Sequence, residues 1–98
     1  MTFIISTDFF REALTQEKPV RAALGKLFQS LTQLSLSELT KHQGIHLEKL
    51  NGLVDPKTAE PLYSLRVTLA VRALAIIPGG TLVLIAIRPD YDKAYRKH

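Results

Sequence analysis

The sequence predicts an α+β domain: a short N-terminal strand and an αα-hairpin packed on a twisted, mainly antiparallel β-sheet, ending in a short C-terminal helix or tail. Three observations point there. Apolar residues recur at helical spacing through the first third of the chain. Alternating or β-branched apolar runs, separated by turn residues, fill the second half. The chain has 98 residues, of which 46% are hydrophobic, which is one domain with one core and is too apolar for a disordered chain.

Each element has a local reason. Phe3-Ile4-Ile5 is a short β-prone run. Thr7 or Asp8 can cap a helix with Glu12 in its early turns, and Phe9, Phe10, Ala13 and Leu14 follow at helical spacing. That helix should stop near Lys18, because Pro19 disfavours helix at the residue before it. Pro19 suits the first turn of a second helix, along which Val20, Ala23, Leu24, Leu27, Phe28, Leu31 and Leu34 repeat at i, i+3 and i+4. Ser35 or Ser37 with Glu38 can cap a short helical turn that Gly44 ends. Ile45 to Leu50 alternates as a strand, with Asn51-Gly52 as the turn after it and a loop over 55–61. Residues 62–68 and 72–77 read as two strands joined by a tight reversal, although that reversal holds no Gly or Asn. Pro78-Gly79-Gly80 is a turn, 81–87 a buried strand, and 90–97 a short helix or tail. The four later strands fit an antiparallel meander, with two helices on one face and Arg and His on the other.

Charge and composition narrow the function classes. There is no cysteine, so disulfide scaffolds, thiol catalysis and Cys-based metal centres are excluded. No apolar run is long enough to span a bilayer. The apolar start carries Asp8 and no basic residue before it, unlike a signal peptide. No membrane partner is expected, and the chain reads as cytoplasmic. Residues 1–60 hold seven Lys and Arg against seven Asp and Glu, whereas residues 61–98 hold six against two. The whole +4 excess therefore lies in the last 38 residues, with four of the six arginines. Arginine suits bidentate phosphate recognition, so this bias points to an anionic partner. Glu38, His42 and His46 have a spacing that one continuous helix would place on one face, but Gly44 interrupts it, and neither metal nor cofactor is expected.

Four segments in order resemble the RelE/ParE toxin superfamily of type II toxin–antitoxin systems. They are Gly44-Ile45-His46-Leu47-Glu48-Lys49-Leu50, Tyr63-Ser64-Leu65-Arg66-Val67, Arg72-Ala73-Leu74-Ala75-Ile76 and Asp92-Lys93-Ala94-Tyr95. Together with the αα-hairpin, the resemblance covers nearly the whole chain, as a single domain over 1–98. It implies a toxin restrained by a cognate antitoxin. RelE-like members cleave messenger RNA, typically on the ribosome, and ParE-like members inhibit DNA gyrase; the shared fold does not choose between them.

The resemblance also implies site residues. Arg66 matches a basic position at the phosphate, Arg72 the arginine that stabilises transition-state charge, and Tyr95 a tyrosine at the scissile site. Lys49, Arg66, Arg72, Arg88 and Lys93 would bind nucleic acid. His46 is a candidate base, since imidazole ionises near neutral pH, about 6.5 when unperturbed. Two positions depart from the family pattern: Tyr91 stands where many relatives have His, and Thr68-Leu69-Ala70-Val71 is apolar where they carry polar turn residues. The expected function is a metal-independent mRNA endoribonuclease. The alternatives are a ParE-like gyrase inhibitor or a degenerate toxin that only binds its antitoxin.

Overall fold

The computed structural model describes residues 1–89; the helix or tail read over 90–97 lies outside them. Strand β1 (Ile4–Ile5) leads into helix α1 (Thr7–Leu14), helix α2 (Lys18–Gln33) and helix α3 (Leu36–Lys41). Strands β2 (Glu48–Val54), β3 (Pro61–Arg66), β4 (Val71–Ile76) and β5 (Val83–Pro89) follow, with a 3₁₀ turn at Pro78–Gly80. The sheet order is β1-β5-β4-β3-β2. β2 to β5 form the expected antiparallel meander, and β1 pairs in parallel with β5.

The helix boundaries follow from capping. Ser6, rather than Thr7 or Asp8, caps α1, and its hydroxyl accepts the Phe9 N–H at 3.1 Å. α1 ends at Leu14, earlier than Pro19 requires, and Thr15 closes it by donating its hydroxyl to the Glu12 carbonyl. Pro19 sits in the first turn of α2, where no N–H is needed.

Ser35 and Glu38 form a reciprocal capping box on α3: the Ser35 N–H donates to Glu38 Oε1 at 2.9 Å, and the Glu38 N–H to Ser35 Oγ at 3.1 Å. The Ser35 backbone N–H, then its side chain, hold the Glu38 carboxyl below its ordinary value. Because the folded-state value is lowered, the contribution of this pair is present above the ordinary glutamate range and is lost as pH falls through the lowered value. Ser35→Ala should cost about 1 kcal/mol in urea denaturation. The melting-temperature difference between wild type and Glu38→Gln should shrink on acidification.

α1 and α2 cover one face of the sheet. Phe9, Leu24, Leu27 and Leu31 from the helices meet Leu65, Ala73, Ala75, Leu84 and Ile87 from the strands in one buried cluster. Leu84 and Ile87 are three residues apart, which in an unbroken strand would put them on opposite faces. The register shifts between Leu74 and Ala75, which oppose Ala86 and Leu84, so Ile85 is an extra residue on β5. This bulge turns both Leu84 and Ile87 toward the helices.

Two strand readings are corrected. Asn51 and Gly52 lie inside β2 rather than in a turn after it. Gly52 adopts φ +77°, and the β2–β3 register shifts between Lys49 and Val54, so the residue pair marks an irregularity in the strand. Ile45 to Leu47 precede β2: the Ile45 N–H donates to His42 Nδ1 at 3.0 Å, and His46 sits at φ +52°. A left-handed residue cannot continue a strand, whatever the alternation around it. The β3–β4 reversal is closed by Thr68, whose hydroxyl accepts the Ala70 N–H at 3.2 Å. None of its residues has positive φ, so it has no need of Gly or Asn.

Candidate nucleic-acid interface

Cross-strand register puts three arginines in one row. Arg66 on β3 lies opposite Arg72 on β4, and Arg72 lies opposite Arg88 on β5. Directly opposed residues share a face, with Cα atoms about 4.5–5.5 Å apart in antiparallel pairs. Leu65 and Ala73, their neighbours along the strands, point into the helix-side core, so the row faces the other way. The second row on this face is Glu48, Ser64, Leu74 and Ala86.

The three arginines differ in their surroundings. Arg72, on a strand flanked on both sides, is only 8% exposed. Arg66 is half-buried, and its N–H donates to the Ile45 carbonyl at 2.6 Å, which ties the segment before β2 to the end of the row. Arg88 Nη1 donates to Glu12 Oε2 at 2.5 Å and to the Ile87 carbonyl at 2.7 Å. The structure thus draws the Arg88 guanidinium toward Glu12 of α1.

His46 is not on a strand, but it borders the same face. Its Nε2 lies 3.1 Å from Glu48 Oε2, and Glu48 shares the face of Ser64 and the arginines. Both side chains are partly exposed. Lys49 is a different case. It opposes Tyr63, whose neighbours in β3 are Leu62 and Ser64, so it projects from the face opposite to Arg66 and Arg72. The register therefore aligns Arg66, Arg72 and Arg88 on one face, His46 borders that face through Glu48, and Lys49 projects from the other. Lys93 and Tyr95 lie outside the described residues.

Along the same face runs a groove of about 420 Å³, lined by Leu62, Leu74, Ile76, Val83 and Ala86 together with Asp8, Lys57 and Arg88. Lys57 Nζ donates to Asp8 Oδ2 at 3.2 Å beside it. Among the described residues, no group of three His, Asp or Glu side chains converges to hold a metal ion. No described helix is long and apolar enough to cross a membrane.

Sequence reasoning missed Glu12 as part of this site. It was legible only as an acidic residue early in a helix, and 76 residues separate it from Arg88. The Arg66–Arg72 pairing does have a local signal, since both positions are three residues from Leu69, at the tip of the reversal.

Among solved structures, a chain of the RelB–RelE antitoxin–toxin complex from Methanococcus jannaschii is similar to this one, with a TM-score of 0.64 and 10% identity. The match covers 96% of each chain, so the whole α+β arrangement is shared, and at this identity the likeness is one of fold. No protein-family model matches the chain, and no curated protein matches its sequence.

Proposed function

We propose that this chain is the toxin of a type II toxin–antitoxin pair and that it cleaves messenger RNA without a metal ion, on the sheet face opposite the helices. The observation that carries this reading is the in-register row Arg66–Arg72–Arg88. Like charges directly opposite each other on neighbouring strands repel, and a polyanion laid along them offsets that repulsion. A phosphodiester backbone is the chemical complement of a line of guanidinium groups. The fold shared with a chain of an antitoxin–toxin complex supports the same reading and supports a protein antitoxin as partner.

Cleavage of this kind joins the 2′-oxygen to phosphorus and breaks the bond from phosphorus to the 5′-oxygen. The 2′-hydroxyl loses a proton, the 5′-oxygen gains one, and the products are a 2′,3′-cyclic phosphate and a 5′-hydroxyl. Arg72 and Arg66 would stabilise the additional charge on the phosphoryl oxygens. His46, held by Glu48, would take the 2′-proton through its other ring nitrogen and pass it to solvent, and the departing 5′-oxygen would take its proton from solvent. Tyr95 would act at the scissile nucleotide, with Lys93 and Arg88 adding cationic charge. His46→Asn keeps a side chain that tolerates the left-handed backbone and should lower cleavage about 10²-fold, read on purified protein and an RNA substrate.

The test in cells is controlled expression with mapping of messenger RNA 5′ ends. Growth arrest with new 5′-hydroxyl ends in translated regions is expected, and codon phasing of those ends would mark ribosome dependence. Arrest with intact messages overturns the ribonuclease reading and directs attention to gyrase supercoiling, where a ParE-like activity would appear. Absence of arrest, with capture of a neighbouring-gene product, would mark a chain that keeps antitoxin binding alone.

A further inference from the structure

The register places Arg88 in the arginine row, yet its guanidinium is held by a carboxylate from another element. Glu12 uses both oxygens: Oε2 accepts from Arg88 Nη1 at 2.5 Å, and Oε1 accepts the Ile87 N–H at 3.2 Å. The reason lies at the sheet edge. β1 is only two residues long, and its pairing with β5 closes with the Ser6 N–H donating to the Leu84 carbonyl. Further along, β5 has α1 beside it instead of a strand, and the Glu12 carboxylate accepts the Ile87 N–H that a strand would have taken.

We propose that Glu12 is an internal counter-ion that withholds Arg88 from the row, so that a bound nucleic-acid strand must displace this carboxylate to use the third arginine. The inference rests on the reading of this face as an RNA site and adds a control on it. A carboxylate and a phosphate are competing charge-assisted acceptors for one guanidinium. The Glu12–Arg88 pair is partly exposed, at 34% and 41%, so it is solvent-screened and exchangeable. The bond from the Ile87 N–H keeps Glu12 in place whether or not Arg88 leaves, so the carboxylate is a fixed competitor. Pairing Arg88 with Glu12 also relieves the repulsion of three aligned cations.

The experiment is a fluorescence-anisotropy titration of a labelled, uncleavable 2′-O-methyl RNA strand against the full chain at several salt concentrations. Glutamine at position 12 keeps an acceptor for the Ile87 N–H and removes the charge. E12Q should bind about five- to tenfold more tightly, with a salt dependence steeper by about 0.7, the value of one added phosphate contact on a single strand. R88Q should cancel the gain when it is combined with E12Q. E12Q at the wild-type affinity and slope overturns the proposal. Weaker binding by E12Q also overturns it, since Glu12 would then orient Arg88 for the strand. Should E12Q fold poorly, the single arginine variants decide: R66Q and R72Q should each flatten the salt dependence by about 0.7, and R88Q by less. An equal loss for R88Q overturns the proposal. R66Q and R72Q that both bind as wild type would instead remove the RNA reading of the face itself.

Discussion

Arg72→Gln is expected to lower RNA cleavage by about 10²–10³-fold while leaving the fold intact. Arg72 stands in the middle of the row, opposite Arg66 on one side and Arg88 on the other. It is also only 8% exposed, and a charge in a site from which water is largely excluded acts on a developing oxyanion more strongly than one in bulk solvent. Glutamine preserves most of the side-chain stem and one donor, so the β4 register should survive. Arg72→Lys keeps the charge but loses the planar fork, and should recover only part of the rate. The measurement is single-turnover cleavage by purified protein, with circular dichroism to check the fold. Lys49→Gln removes the same formal charge from the opposite face and should cleave at close to the wild-type rate. Equal losses for Arg72→Gln and Lys49→Gln would mean that only net charge matters, and the row would lose its role.

The contrast between Arg72 and Lys49 shows what the sequence made legible. Period-2 alternation from Tyr63 onward separated Arg66 from Leu65, and hairpin symmetry about Leu69 pairs Arg66 with Arg72. Both signals are local, and both strands formed within one or two residues of expectation. The helices were legible for a similar reason: the apolar spacing of α2 and the Ser35–Glu38 cap are short-range devices. What was hidden depends on a backbone exception or on a distant partner. His46 alternates like a strand residue, but its φ of +52° breaks the strand there. Asn51-Gly52 carries the composition of a turn and serves instead inside β2. The bulge at Ile85 sits in an unbroken apolar run, where no residue type announces it, yet it sets which β5 residues face the arginine row. Glu12 and Arg88 meet only because β1 is too short to cover β5.

Phe9→Ala should destabilise the chain by about 3–5 kcal/mol, whereas Phe10→Ala should change stability by no more than about 0.5 kcal/mol. The two residues are adjacent and chemically identical, but Phe9 is 0% exposed and Phe10 is 56% exposed. Phe9 packs its ring 6.1 Å from that of Phe28, which lies 5.9 Å from Phe3, so one aromatic side chain joins α1 to α2 and to the start of the sheet. A small domain has only about 5–15 kcal/mol of stability in total, so the loss at Phe9 would be a large part of it. Urea denaturation of the two variants gives the comparison directly. The same substitution bears on function through Glu12, which is three residues further along α1 and therefore on a neighbouring part of the same helix face. Phe9 anchors the helix that carries the carboxylate to Arg88. Loosening that anchor should release Arg88, so Phe9→Ala, measured where it is still folded, should shift RNA affinity in the same direction as E12Q. Phe10→Ala should shift neither quantity. A Phe9→Ala protein that is destabilised but binds RNA as wild type would show that Glu12 holds Arg88 through its bond to the Ile87 N–H alone, independently of how firmly α1 is packed.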